Sequence, residues 1–253
     1  GHLTASSQGF TLAEVLITLG VIGIVAAMTM PSLIQEHREK QRVVQLKKVY
    51  SILSQAFLMA RNEYGDIESW DYVTTNTGEK DEDGNAILDE SGSDMFADNL
   101  RKYIKQSGTT SHSFRRYLSL DGRNYSSSGG TTISDDHNKI FTADGAIIMI
   151  GWVNKDCSKT SAGCGDIEVF LPEKTAKLGV SAFWFYITPQ GIKPYGHQDH
   201  AISFEDYCDV TNSKGKPATE QGRGCTAWVL LNENMDYLHC PEKLGWDKAM
   251  RCK

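Results

Sequence analysis

Apolar and polar positions divide this chain sharply. Residues 10–34 form a run of 25 with a single charge, Glu14. Roughly 20 apolar residues cross a bilayer core as a helix, so the run is long enough to span. A carboxylate near its start is the anomaly, because an acid at the bilayer centre costs about 2.5–3.5 kcal/mol. It needs either a partner or a place near the interface. Beyond Pro31 the chain turns polar over residues 35–42. Val43, Leu46, Val49, Tyr50, Leu53, Phe57 and Ala60 then recur at steps of three and four, with Lys47, Lys48, Ser51, Ser54 and Arg61 off that line. This is one apolar stripe on a helix, and Gly65 is its expected stop. Unbroken over residues 10–64, the helix would run about 80 Å. Pro31 removes a backbone donor and, with Gly20 and Gly23 nearby, marks where it could kink or melt.

After residue 65 the pattern shortens. Ser93 is read as capping a short helix carrying Phe96, Leu100, Tyr103 and Ile104, ended by Gly108. The Ser/Thr/Gly-rich residues 108–132 read as surface loop. Residues 140–143, then Asp144-Gly145, then residues 146–150 carry a hairpin signature. Residues 183–188 and 227–231 read as further strands. Helix first and antiparallel strands after is an α+β order.

Composition changes the picture in two places. The net charge is −6, which offers no general attraction for a phosphate backbone, so nucleic acid is not an expected partner. Arg101-Lys102 and Arg115-Arg116 read as solvated surface. All six cysteines, Cys157, Cys164, Cys208, Cys225, Cys240 and Cys252, fall after residue 156. An even number kept to the polar part suits disulfides in an oxidising compartment. Six cysteines admit fifteen pairings and the sequence does not choose; the expectation adopted is nearest neighbours, Cys157 with Cys164, Cys208 with Cys225 and Cys240 with Cys252. A zinc site is the rival, but there is no CxxC pair and the spacings lack ligand rhythm.

The apolar run is also unlike a cleaved secretory signal, being too long and lacking a small-residue site after it. Its small residue, Gly9, comes first, so residues 1–9 read as a short leader removed in front of a retained helix. Gly9-Phe10-Thr11-Leu12-Ala13-Glu14, followed by an apolar helix and Pro31, resembles the N-terminus of type IV pilins and type II secretion pseudopilins. The resemblance implies that a prepilin peptidase cuts between Gly9 and Phe10 and that Phe10 is then methylated. It implies that Glu14 pairs with the Phe10 amine of a neighbouring subunit, and that the stretch at Pro31 loses helicity on assembly. A buried ion is tolerable when paired, which agrees. The implied fold is pilin-like. A long helix, half membrane-embedded and half amphipathic, packs on an antiparallel sheet head with a disulfide-bearing C-terminal region. The implied boundaries are leader 1–9, membrane or filament-core helix 10–34, amphipathic continuation 35–64 and head 65–253. Residues 224–230 and 234–238 also resemble the endings of long pilin-like proteins.

One segment spaces acids like a calcium loop. With Glu79 first, Asp81 and Asp83 fall third and fifth, Gly84 sixth, Asn85 seventh and Glu90 twelfth, the rhythm of an EF-hand. Against it stand Glu at the first place, Ala86 at the eighth and no amphipathic helix before it; an acidic turn at Asp83-Gly84 is the plainer reading. Pseudopilins bind calcium elsewhere, near the C-terminus, so the family does not lend this loop its site. His197 and His200 beside Asp199 form the only tight His/acid cluster and read as loop residues without a ligand. There is no GxSxG, HExxH, P-loop or GxGxxG motif, so no enzyme is expected.

The expectation is a structural filament subunit. Its partners are copies of itself, other pilins, prepilin peptidase, the inner membrane and the assembly machinery. It would sit in the bacterial inner membrane first and in a surface or periplasmic filament afterwards. Residues 10–253 are long for a major pilin and favour a minor or specialised subunit, and Glu14 argues against the tip type that lacks this acid. Two rivals remain: an adhesin using loops of residues 66–138, and a periplasmic enzyme tethered by an uncleaved N-terminus.

Overall fold

The computed structural model describes residues 11–70, 72, 76–80, 86–88, 91–108, 111–114, 116–125, 132–133, 138–158, 163–198, 200–211, 215–216 and 218–252, with 76–80, 86–88, 132–133 and 218 by backbone alone. The chain divides into two compact units, Gly1–Gln41 and Arg42–Lys253. In chain order the elements are α1 (Leu12–Tyr64), β1 (Asn76–Lys80), β2 (Ala86–Leu88), α2 (Ser91–Arg101), β3 (His112–Ser113), β4 (Arg116–Leu118), β5 (Thr132–Ile133), β6 (Lys139–Phe141), β7 (Ile147–Val153), β8 (Gly165–Phe170), β9 (Thr175–Lys177), β10 (Ala182–Thr188), β11 (Gly191–Pro194), α3 (Phe204–Tyr207) and α4 (Thr226–Asn232).

Helix α1 is continuous, with Pro31 inside it. It stops at Gly65, whose φ of +81° suits a residue without Cβ. The Gly65 N–H donates to the Arg61 carbonyl at 2.9 Å. Within the second unit the periodic stripe is the buried one. Val43, Leu46, Val49, Leu53, Phe57 and Ala60 are sealed from solvent in one cluster with Ile148, Ile150, Ile167, Val169, Phe183, Phe185 and Ile187. The sheet is antiparallel, in the order β11-β10-β8-β7-β6. Alternate residues of each strand face α1, and the intervening ones face a second, smaller core of Phe114, Phe141, Ile147, Phe170, Ala176, Leu178 and Ala182. This is the expected α+β pilin-like architecture.

Charges off the stripe reach the sheet. Arg42 grips Glu173 with two bonds, of 2.6 and 3.0 Å, Lys48 meets Asp144 at 3.0 Å, and Lys47 pairs with Glu233. At half-exposed positions such pairs add little energy and mainly fix rotation.

Both edges of the five-stranded sheet are partly occupied. In β11 the Tyr195 N–H bonds back to Trp184, so by antiparallel alternation Ile192 and Pro194 turn their backbone outward. The Ile192 carbonyl accepts from the Tyr50 hydroxyl at 3.1 Å, and Pro194 has no N–H. On β6 the outward carbonyls of Lys139 and Phe141 accept from Arg101 Nη2 and Ser107 N, each at 3.0 Å.

Three sequence expectations need correction. Residues 227–231 form helix α4, not a strand. A five-residue apolar run fits either period, and here burial is one-sided, with Trp228 and Val229 sealed and Leu231 61% exposed. The short helix starts at Ser91 and ends at Arg101, well before Gly108, because Tyr103 and Ile104 close tight turns onto Leu100 and Arg101. The stretch read as loop contains β3, β4 and β5; β3 pairs with β5, and β4 pairs in parallel with β9. The hairpin is present: Phe141 faces Ile147, and Gly145 takes φ +86° in the turn.

The cysteines form Cys157–Cys164, Cys208–Cys225 and Cys240–Cys252, and none is free. Cys157–Cys164 closes a sequence separation of only 7. Replacing both by serine is expected to cost about 2 kcal/mol in denaturant unfolding of the full chain in detergent, on the chain-entropy argument.

Candidate functional site

Described residues begin at Thr11, so Gly9 and Phe10 lie outside them. The first turn of α1 builds a reciprocal cap. The Glu14 carboxylate accepts from both the Thr11 N–H and the Thr11 hydroxyl at 2.8 Å, and the Glu14 N–H donates to the Thr11 hydroxyl oxygen at 3.2 Å. This capping box satisfies backbone donors that a helix start leaves open. The T-x-x-E spacing was a sequence signal for Thr11 that went unread above. Glu14 thus has donors within its own chain, and they are neutral ones.

From Leu12 to Ile34 the helix surface is greasy and uncovered. Leu12, Leu16, Ile17, Leu19, Ile22 and Leu33 are among its exposed side chains. By length and composition the helix can cross a membrane. Its few hydroxyls fold back on the helix: Thr18 donates to Val15 O, Thr29 to Val25 O and Ser32 to Thr29 O, at 2.9–3.0 Å. No polar side chain there is left facing lipid without an acceptor in its own turn. Pro31 lies between two of these back-bonded hydroxyls and deprives the Ala27 carbonyl of its usual helical donor.

Of the other candidates, Asp81, Asp83, Asn85 and Glu90 lie outside the described residues, and so does the side chain of Glu79. Backbone strands β1 and β2 pair antiparallel on either side of residues 81–85. Asp199 also lies outside the described residues. His200 stacks on Tyr186 at 4.4 Å, and its Nδ1 accepts from the Ile202 N–H at 3.0 Å. His197 lines the same open cleft of about 390 Å³, with Tyr186, Lys193 and Pro194. Among the described residues no three His, Cys, Asp or Glu side chains converge as metal ligands.

Two acids escaped sequence reasoning. Asp166 and Glu168 alternate with Ile167 and Val169 in β8, a pattern that reads as one dry and one wet face, yet both acids are buried. Burial pushes Glu168 up to about 8, against the pull of Trp184 and Arg223. Burial likewise raises Asp166 to about 6, against the pull of Arg223 and hydrogen bonds from Trp152. Only the layer covering that face could have revealed this, and it comes from distant sequence.

Two family profiles match the chain. That of the prokaryotic N-terminal methylation motif matches residues 4–30, which contain Gly9, Phe10, Thr11 and Glu14. That of a family of unknown function, DUF6613, matches residues 32–235. No curated protein and no solved structure matches.

Proposed function

The chain belongs to the DUF6613 family and opens with the prokaryotic N-terminal methylation motif, and from that premise we propose that it is a structural subunit of a type IV pilus-like filament. As a type IV pilin-like precursor it is a substrate of prepilin peptidase and is anchored in the membrane by its apolar helix. The finer reading is that the helices of many copies form the filament core and the heads its surface.

The observation that carries this reading is the pairing of an uncovered apolar helix with one acid in its first turn. Outside a bilayer such a helix must be covered by something equally apolar, and other copies of itself qualify. Cleavage before Phe10 frees an amine next to Thr11, while Glu14 supplies one carboxylate per chain. Two ions of opposite sign in one apolar core are tolerable only together. No catalytic role is assigned to the head, and its partners are then other subunits and the assembly machinery.

The test is mass spectrometry of the N-terminal peptide from cells carrying a pilus machinery, on both membranes and sheared filaments. A chain beginning at methylated Phe10, present in the sheared fraction, is expected. An intact leader, with all protein left in the membrane, would mean that the helix is only a tether.

A further inference from the structure

The face of the sheet turned away from α1 carries an arrangement that filament building does not call on. Asp166 and Glu168 both point into it from β8. Room for Asp166 exists because β7 has glycine opposite: a Cβ on Gly151 would lie 1.9 Å from Asp166 Oδ1. Glu168 sits between Met149 of β7 and Trp184 of β10, its cross-strand neighbours. Arg223 lies against the same face, its guanidinium 4.1 Å from the ring centre of Trp184, the cross-strand neighbour of Glu168, and 5.8 Å from that of Tyr195.

Arg223 belongs to a covering segment, not to the sheet. It opens the short turn Arg223–Cys225, and Cys225 is bonded to Cys208. The Gly222 N–H donates to Tyr207 O at 2.7 Å, and the Leu120 N–H to Gln221 O at 2.8 Å. Among the described residues, the other charged or titratable groups facing this layer are Glu220, Tyr117, Tyr125, Tyr186, Tyr195 and His200. Glu220 reaches Arg223 at 3.5 Å from the half-exposed rim. Tyr125, Tyr186 and Tyr195 all have their hydroxyls raised by burial and stay neutral. His200 stacks on Tyr186 and meets Tyr195 edge-on.

We propose that this layer is a proton-operated latch, in which the covering segment, its Arg223 laid on Trp184 beside two buried sheet carboxyls, closes fully only while Glu168 keeps its proton. The count of charges drives it: Arg223 is one cation, already met by Glu220 at the rim, and it cannot also compensate two buried anions. Opening the layer lets water reach Glu168, whose acidity then returns to the ordinary carboxylate range.

The direction follows from proton linkage. Glu168 holds its proton up to about 8 when closed and loses it near 4.5 when solvated, so opening releases a proton across that interval. Opening therefore becomes easier as pH rises, by up to tenfold per pH unit, and levels off above about 8. Asp166, raised to about 6, adds a second proton only at the acid end.

The test is amide hydrogen exchange of the full-length chain in detergent between pH 5 and pH 9, corrected for intrinsic rates and read on peptides covering residues 206–226. The native chain is expected to open more readily with rising pH over this segment, and Glu168→Gln to remove most of that slope above pH 6. An unchanged slope in Glu168→Gln would overturn the latch, as would tighter closure of the native chain at higher pH. Should the variant fail to fold, infrared spectra of the native chain decide. A buried protonated carboxyl band present at pH 6 and lost through pH 8 to 9 is expected, and its absence at pH 6 would refute the proposal.

Discussion

A chain carrying Glu14→Val is expected to enter the membrane at normal levels and to yield at least a hundredfold fewer sheared filaments. The valine is welcome in lipid, so insertion does not suffer. What suffers is the neighbour's amine, which would enter an apolar core without its carboxylate. Breaking a buried pair by removing one partner costs about 3–5 kcal/mol, enough for two to three orders of magnitude in an assembly constant. Glu14→Gln separates two roles. Glutamine can still accept from the Thr11 N–H and hydroxyl, so the cap survives while the charge is gone. If the proposed ion pair governs assembly, Gln behaves like Val. If the cap governs it, Gln restores filaments. Normal yield from the valine variant would remove the electrostatic basis of the proposed polymer.

Gly196→Ala is expected to be the most damaging small substitution in the head, costing about 4 kcal/mol or more in chemical denaturation. An added Cβ would lie 1.9 Å from the Gly224 carbonyl oxygen, a backbone atom that cannot swing aside, and Gly196 has φ +102°. The site is also a junction. The Gly196 N–H donates to Ile202 O, and its carbonyl accepts from Phe204 N and from the Trp246 indole, at 2.9–3.2 Å. Displacing it disturbs the stacked Phe204 and Trp228 rings, 4.1 Å apart, behind it. Gly215→Ala is the control. Gly215 also has a positive φ, +66°, but open space around it, so its cost is limited to about 1–2 kcal/mol. Equal losses for both would show that backbone conformation, and not the close approach to Gly224, limits Gly196.

How much of this was legible in the sequence depends on how local each signal is. The three- and four-residue steps from Val43 to Ala60 marked the buried stripe because a helix face is written in its own residues. Gly65 and the Asp144-Gly145 turn were legible for the same reason. Residues 227–231 were misread because five apolar residues carry no period, and their helix follows a turn tied by the Cys208–Cys225 bond, 17 positions apart. The acids of β8 were invisible because alternation says that two faces differ, not that one of them is wet. Arg223, part of the segment that covers them, lies more than 50 residues further on. At the N-terminus the proposed processing residues, Gly9 and Phe10, stood out through a resemblance, whereas Thr11 needed only the capping rule.

The stoppered strand edges bear on what happens when heads stand shoulder to shoulder. A polymer fixes its surface domains at millimolar effective concentration or above, where an open ladder would recruit the next one. With Tyr50 on one rim, Arg101 and Ser107 on the other, and a proline where a donor would stand, the main sheet offers a neighbouring domain fewer rungs to share. In the proposed filament this favours contact through side chains, which can part again, over fusion into a cross-β solid.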